Sequence, residues 1–328
     1  MKARGLLRRG NPDGSGARSS FLKSRAAAWI ATSLALLAMT MAGEAAPGET
    51  RNHAQVPSLT DDTGETLRLT APARRVVSLA PHITELLYAA GAGARLVGAV
   101  EFSDHPPEAR ALPRVGAYAR LDLETILKLK PDLVLGWKDG NAPGEIAKLR
   151  ALGLPVFVTQ PTQIRDIARE LERYGALAGT ETAARAAATR FLTRLEALEK
   201  TYSSRPPVRV FYEIWNTPLM TVGKSQIITS AIRVCGGVNV FGNLETLAPT
   251  VSLEAVLAAN PEAIIATGMA DARPEWLDDW KRWPRLAAAQ QGNLFHIHPD
   301  LIQRHTPRLL EGTEILCHLL EKARQRRR

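Results

Sequence analysis

An uninterrupted helical stretch constrains the fold of this chain more than any other feature. Residues 180–204 read TETAARAAATRFLTRLEALEKTYSS, lack glycine and proline, and are followed by Arg205-Pro206-Pro207. The composition favours a helix, and Thr180 is a candidate N-cap. Apolar side chains recur at helical spacing along one face: Phe191, Leu192, Leu195 and Leu198. Such a helix spans roughly 35 Å, about the width of a small domain.

The segments on both sides of this helix alternate short apolar runs with helical patterns. Predicted strands lie at residues 75–80, 97–100, 133–135 and 156–158 before it, and at 208–212, 263–265 and 294–297 after it. Strands joined by helices indicate parallel sheets covered on both faces. We therefore predict an α/β fold with two lobes, residues 46–179 and 207–321, joined by one rigid helix at 180–206. A surface helix of a single large domain is the alternative.

The two predicted lobes share a sequence repeat at an offset of about 130 residues. The segment LDLETILKLKPD at 121–132 aligns with VSLEAVLAANPE at 251–262, so each lobe has a capped helix, a proline break and a strand. Ligands of open α/β sheets bind beyond the carboxyl ends of the strands, which predicts a ligand cleft between the lobes. Glu124 and Glu254 occupy equivalent places. Each carboxylate either interacts favourably with the dipole of its own helix, or the two together bind a partner that has two-fold symmetry and two basic sites.

The formal net charge of +9 is concentrated at the two ends of the chain. Seven cations and two acids lie in residues 1–45, where an apolar run at 26–42 precedes small residues. This pattern predicts a cleavable signal peptide, with a retained signal-anchor as the alternative. Five more cations lie in residues 322–328, a tail that we expect to be disordered. The body between is almost neutral, which argues against a nucleic-acid surface.

Cysteine usage agrees with export to an oxidising compartment. Cys235 and Cys317 are the only cysteines in the sequence. We expect a disulfide between them, with two buried thiols as the alternative. No cysteine lies near the predicted cleavage site, so no lipid anchor is expected.

Aromatic residues follow several predicted strands, where they would line the cleft. They are Phe102, Tyr118, Trp137 and Trp215. A large flat ligand would use such walls, whereas core packing is the alternative for any one of them. Trp276, Trp280 and Trp283 instead form a stripe that indicates local helix packing. His296 and His298, with Asp300, could hold a metal or serve as half-buried sheet residues, and we expect no metal site.

Several segments resemble one known family. They are SLAPHITELL at 78–87, FSDHPP at 102–107, LE at 123–124, KPDLV at 130–134, GWKDGN at 136–141, CGGVN at 235–239, VSLE at 251–254, and the stretch from Asp300 to Arg308. Together they are similar to the periplasmic vitamin B12-binding proteins of ABC importers, in the class of binding proteins with a helical backbone. The resemblance covers nearly all of residues 74–320.

The resemblance implies a two-lobed receptor that binds cobalamin and does not convert it chemically. Its ligand contacts would fall on Pro81, Phe102, Tyr118, Trp137, Met220, Asp300 and Arg304, with the last two as polar contacts at the rim. Ala248 stands where the family has a cleft tryptophan, and Trp215 is the expected substitute. The family's disulfide falls on Cys235 and Cys317. Its two docking glutamates fall on Glu124 and Glu254, facing arginines of a permease dimer.

The sequence thus predicts a monomeric periplasmic receptor that captures cobalamin or a related corrinoid and delivers it to an ABC permease. No cofactor, no enzymatic activity and no nucleic-acid partner are expected. A haem or ferric-siderophore receptor of the same fold is one alternative. An exported metal-dependent enzyme that uses His296, His298 and Asp300 is the other.

Overall fold

The fold is described from a computed structural model, which covers residues 58–117, 119–268 and 272–327. The predicted signal peptide, the first residues of the N-terminal lobe and Tyr118 lie outside the described residues. Within those ranges, no helix is both long and apolar enough to cross a membrane.

The N-terminal lobe is built around a four-stranded parallel sheet. Its elements are β1 (Leu59–Thr60), β2 (Thr66–Leu67), β3 (Val76–Ser78), α1 (Pro81–Ala89), β4 (Leu96–Ala99), β5 (Gly116–Ala117), β6 (Arg120–Leu121), α2 (Leu123–Lys128), β7 (Leu133–Trp137), α3 (Pro143–Ala151), β8 (Val156–Thr159) and α4 (Asp166–Ala178). The sheet order is β4-β3-β7-β8, and all three pairings are parallel. Hairpins β1–β2 and β5–β6 lie beside it.

The second lobe repeats this architecture after the long helix α5 (Glu181–Tyr202). Its elements are β9 (Val208–Glu213), β10 (Trp215–Asn216), β11 (Leu219–Met220), α6 (Ile227–Val234), β12 (Gly237–Asn239), α7 (Leu253–Ala259), β13 (Ala263–Ala266), α8 (Ala287–Gln290), β14 (Leu294–His296), α9 (Pro299–Ile302) and α10 (Leu309–Gln325). The sheet order is β12-β9-β13-β14, again parallel. In both lobes the second strand lies outside the first, and the third and fourth follow on the other side. The predicted two-lobed α/β fold is confirmed.

Helix α5 joins the lobes by packing, as the apolar pattern predicted. Its 22 residues span about 33 Å, and its buried face is formed by Ala184, Ala187, Ala188, Phe191, Leu195 and Leu198. These side chains belong to one apolar core that continues from the first sheet to the second. Gly175 of α4 allows close approach, because a Cβ there would lie 2.3 Å from the Cβ of Ala184. Thr180 is the N-cap residue of the helix, as predicted, but its hydroxyl makes no capping hydrogen bond and donates instead to the Ala90 carbonyl at 2.8 Å.

The disulfide between Cys235 and Cys317 is present, and it ties the end of α6 to α10. The two Cα atoms are 4.6 Å apart, and the cysteines are 82 residues apart in sequence. Closing a loop of this length stabilises the folded state by roughly 4 kcal/mol in the chain-entropy model.

Residues 322–327 of the basic C-terminal tail are ordered, contrary to the sequence prediction. Helix α10 continues to Gln325, and the Arg324 side chain is only 7% exposed. Arg324 donates to the Cys235 carbonyl at 2.7 Å, and Arg326 donates to the Gly292 carbonyl at 2.7 Å. Arg327 pairs with Glu262 at 2.9 Å. These guanidinium groups form hydrogen bonds to carbonyls and an ion pair with a carboxylate of the second lobe. The basic side chains therefore pack against the second lobe and do not extend into solvent.

Candidate ligand cleft and docking faces

The candidate ligand residues lie at or just beyond the carboxyl ends of the parallel strands. Pro81 begins α1 three residues after β3, and Trp137 is the last residue of β7. Asp300 lies in α9, four residues after β14. Trp215 and Met220 face each other across the β10–β11 hairpin that follows β9. The parallel order of each sheet therefore brings these predicted residues to the ligand-binding edge of their lobe.

Phe102 differs from the other predicted aromatic residues in its exposure and backbone. It follows β4, its side chain is 69% exposed, and its φ angle is +63°. A bulky residue rarely adopts this left-handed conformation, which costs about 1–3 kcal/mol and is concentrated at functional sites. An exposed ring held in this way is available to a ligand rather than to the core.

The half-buried Trp137 ring contacts two histidines that the sequence interpretation did not select. His82 of α1 packs edge-on against it, with centroids 5.1 Å apart. His305 from the second lobe also meets it edge-on at 5.9 Å, and the two histidine rings are 5.1 Å apart. Trp137 and His82 therefore meet His305 where the lobes touch.

Both histidines are buried and neutral at physiological pH. Burial lowers the pKa of His82 well below its ordinary value, with further lowering by the charges of His305 and Arg304. Burial alone lowers the pKa of His305 to about 4. Among the described residues, His82 Nε2 and His305 Nδ1 have no hydrogen-bond partner. Buried polar atoms of this kind are rare and point to a ligand or an ordered water.

An ion cluster joins the lobes beside these rings. Arg304 contacts Glu85 at 3.0 Å, Asp104 at 2.9 Å and Asp300 at 2.9 Å, and its side chain is 16% exposed. Arg308 contacts the same Glu85 at 2.8 Å. Burial would raise the pKa of Asp104, but its hydrogen bond to Arg304 and the charge of that group lower it. Arg304, a predicted polar contact at the ligand rim, thus forms ion pairs with carboxylates of both lobes.

A cavity of about 190 Å³ lies between the lobes at this point. The first lobe contributes Trp137, Asp139, Gln160 and Pro161, and the second contributes Ser225, Gln226, Ile227, Leu247, Ala248 and His305. Ala248, where the family resemblance implied a tryptophan, is exposed, so the cavity reaches solvent beside it. The volume is smaller than the roughly 300–1,000 Å³ of typical small-molecule sites. The cavity alone is therefore too small to enclose a large ligand.

The sequence repeat places two matching glutamates on equivalent helices. The carboxylate of Asp122 caps α2 through the Thr125 N–H at 3.0 Å, and the Ser252 hydroxyl caps α7 through the Ala255 N–H at 3.1 Å. Glu124 and Glu254 are the second residues of these helices, and both are exposed. Glu124 pairs with Lys128 at 2.6 Å, and both side chains are at least 70% exposed. An exposed pair contributes little to stability and can exchange partners.

Matching contacts orient both helices on their sheets. Arg75 precedes β3 and donates to the Leu129 carbonyl at 2.6 Å, while Arg209 of β9 donates to the Ala259 carbonyl. Asp132 accepts the Arg75 N–H at 2.8 Å, and Glu262 accepts the Arg209 N–H at 3.0 Å. The helices that carry Glu124 and Glu254 are therefore held on their sheets by the same interactions, at the ends of the two repeats.

The alternative metal site receives no support from the geometry. His296 Nε2 lies 3.1 Å from the Thr267 carbonyl, and His298 Nδ1 accepts the Asp300 N–H at 3.2 Å. Across the described ranges, no group of three or more histidine, cysteine or acidic side chains could hold a metal ion.

The tryptophan stripe packs as expected. Trp280 packs edge-on against Phe211 at 5.7 Å and donates to Glu213 at 2.8 Å. Burial raises the pKa of that glutamate to about 8.

Comparison with known proteins decides the family. The periplasmic binding protein family matches residues 76–301. The chain belongs to this family. A vitamin B12-binding protein of Vibrio cholerae serotype O1 is 37% identical over 255 residues, which are 77% of this chain and 91% of the relative. The corresponding protein of Vibrio parahaemolyticus is 35% identical over 259 residues, 78% of this chain and 92% of the relative.

Solved structures of periplasmic binding proteins show the same fold. The vitamin B12 binding protein BtuF of Vibrio cholerae has a TM-score of 0.71 and 36% identity, covering 77% of this chain and 98% of its own. The heme-binding protein RhuT from Roseiflexus has a TM-score of 0.67 and 23% identity, covering 76% and 99%. At that identity, the second likeness concerns the fold alone.

Proposed function

We propose that this periplasmic binding protein captures cobalamin or a related corrinoid between its lobes and delivers it to an ABC permease. The observation that carries the proposal is the similarity to vitamin B12-binding proteins across nearly their whole length. The aromatic and apolar residues at the strand ends agree with it, since a large flat ligand needs such walls.

The ligand contacts in this proposal are Pro81, Phe102, Tyr118, Trp137, Trp215, Met220, Asp300 and Arg304. Glu124 and Glu254 are the docking residues, one on each lobe, and would meet basic sites of a two-fold permease. The protein acts as a monomer, reaches the periplasm through a cleavable signal peptide at residues 1–45, and binds its ligand without chemistry.

Titration of the protein purified from periplasmic extracts tests the ligand. We expect saturable one-to-one binding of cyanocobalamin at micromolar concentration or below, measured by calorimetry and by the absorbance of the corrin ring. Haem and a ferric siderophore serve as the parallel ligands. Saturable binding of either one, without binding of any corrinoid, would leave the fold and the docking faces in place and overturn cobalamin as the substrate.

A further inference from the structure

Glu262 connects the C-terminal tail to the helix that carries the proposed docking residue Glu254. It lies between α7 and β13, and its side chain is 23% exposed. Arg327 donates to both of its carboxylate oxygens, from Nε at 2.9 Å and from Nη2 at 3.1 Å. A guanidinium that pairs with a carboxylate at two points fixes the orientation of both groups. The tail therefore holds the Glu262 carboxylate in one position.

The same carboxylate reaches the end of α7 through Arg209. Glu262 Oε2 accepts the backbone N–H of Arg209 at 3.0 Å, and the Arg209 guanidinium donates to the carbonyl of Ala259, the last residue of α7. Arg327 also donates to the Pro207 carbonyl, just before β9. The tail, the start of β9 and the C-terminal end of α7 thus form one connected set of charge-assisted hydrogen bonds.

Helix α7 depends on contacts at its ends because its own packing is slight. It has seven residues, of which Val256 is the buried one. Helices of this length are not stable in isolation. A segment with few buried apolar contacts opens locally at a low free-energy cost. The Ser252 hydroxyl holds the N-terminal end, and the Arg209 guanidinium holds the C-terminal end.

The first lobe fixes the equivalent carboxylate through the backbone. Asp132 accepts the N–H groups of two successive residues, Arg74 and Arg75, each at 2.8 Å. The Arg75 side chain then donates to the Leu129 carbonyl at the end of α2, as Arg209 does for α7. Two backbone donors therefore position this carboxylate.

In the second lobe, one of the two backbone donors is used elsewhere. Val208 stands in the place of Arg74, and its N–H donates to the Gly236 carbonyl at 3.3 Å. Arg327 instead supplies donors to Glu262. The tail also lies beyond residues 76–301, the part of the chain that matches the family. The second lobe of this chain thus uses the tail for a task that the backbone performs in the first lobe.

We propose that Arg327 is a positioning residue for docking, which holds α7 so that the helix presents Glu254 to the permease in one orientation. It acts through Glu262 and Arg209. The proposal rests on the docking role of Glu254 in the function proposed above. A helix that is already fixed does not have to be ordered when the complex forms, so docking costs less conformational entropy.

Hydrogen exchange, uptake and ligand binding of the same variants test the proposal. Arg327→Ala should speed amide exchange in α7 about three- to tenfold and leave exchange in α2 unchanged. Uptake of labelled cobalamin by cells that depend on this protein should fall about threefold or more at equal periplasmic amounts of receptor. The Kd for cobalamin, measured by calorimetry on the whole protein, should stay unchanged. Arg327→Lys keeps the charge without the two-point geometry and should recover part of both effects.

Arg326→Ala is the matched control. Arg326 belongs to the same tail, but its guanidinium donates to the Gly292 carbonyl and the Asn293 side chain, before and at the start of β14. This variant should leave α7 exchange and uptake unchanged, and thermal melting shows whether each variant is folded.

Three outcomes would overturn the proposal in different ways. Unchanged α7 exchange in Arg327→Ala, or equal acceleration in Arg326→Ala, would remove the positioning role and leave the proposed function standing. Faster α7 exchange with full uptake would show that transport does not need a fixed α7, which would contradict the docking role of Glu254 and the proposal with it. If the wild-type protein bound no cobalamin, the proposed ligand would fail, and the exchange comparison would still decide whether Arg327 positions α7.

Discussion

At the scale of single residues, the ring of Trp137 holds a central position because it belongs to both the strand end and the lobe contact. It closes β7, packs against His82 and His305, and lines the inter-lobe cavity. Binding energy concentrates on such aromatic side chains in desolvated surroundings. Phe102 presents more surface but has no comparable packing around it.

Replacing Trp137 with alanine should therefore weaken cobalamin binding strongly. We expect a loss of about 2 kcal/mol or more, which is a rise in Kd of roughly 30-fold, measured by calorimetry. Trp276→Ala is the matched control, because Trp276 is also half-buried but packs on the outer core cluster of the second lobe. Similar losses in the two variants would indicate a general effect on folding and would contradict the assigned role of Trp137.

The buried His305 should make stability depend on pH. Its pKa of about 4 lies below the ordinary value of 6.5, so the unfolded chain binds the proton more tightly. Its contribution is present above pH 6.5 and is lost as the pH falls towards 4, by roughly 2 kcal/mol between pH 7 and pH 5. Glu170 and Glu213 act in the opposite direction, since burial raises their pKa values to about 7 and about 8.

The His305 contribution is isolated as the difference between wild type and His305→Phe in urea unfolding. That difference should shrink by roughly 2 kcal/mol when the pH falls from 7 to 5, because the variant has no imidazole to protonate there. A difference that stays constant between these pH values would show that His305 is not buried in its neutral form.

At the scale of elements, the sequence was informative wherever structure is decided locally. The caps Asp122 and Ser252 and the proline breaks after α2 and α7 could be located because each depends on residues a few positions apart. The short strand β12 was missed because its Gly-Gly start indicates only the end of a helix. His82 and His305 are in contact although they lie more than 220 residues apart in sequence, and no local sequence pattern predicts such a contact.

The equivalence of α2 and α7 leads to a prediction for transport. Glu124→Arg and Glu254→Arg should leave cobalamin binding unchanged and abolish uptake, because each reverses the charge of one proposed docking residue and neither residue lines the inter-lobe cavity. Glu311→Arg is the matched control, since it is exposed and also lies in the first turn of a helix. It loses the same favourable interaction with the helix dipole, a few tenths of a kcal/mol, without touching the repeated face.

Uptake of labelled cobalamin in cells that depend on this protein separates the two interpretations of the glutamates. If the Glu124, Glu254 and Glu311 variants all transported cobalamin equally well, the only role of Glu124 and Glu254 would be the favourable interaction of each carboxylate with its helix dipole. If the purified Glu124 or Glu254 variant lost ligand binding, that glutamate would be assigned to the ligand site, and its docking role would be contradicted.

At the scale of the whole molecule, two kinds of contact tie the lobes together. One is the apolar core that runs along α5 from the first sheet to the second. The other is the ion cluster in which Arg304 and Arg308 of the second lobe share the buried Glu85 of the first. A shared core resists large hinge motion, so the cleft is largely formed before the ligand arrives.

Glu85→Gln should weaken the ion cluster between the lobes without changing the shape of the side chain. It leaves two arginines beside a neutral amide, and loss of one partner of a buried ion pair costs about 3–5 kcal/mol. We expect a lower melting temperature and, in the absence of ligand, a larger radius of gyration by small-angle X-ray scattering. Glu314→Gln is the matched control, because its pair with Arg194 also links two helices but is almost half exposed and should contribute no more than about 1 kcal/mol. A Glu85 variant as compact and stable as this control would assign the closure of the lobes to the α5 core alone.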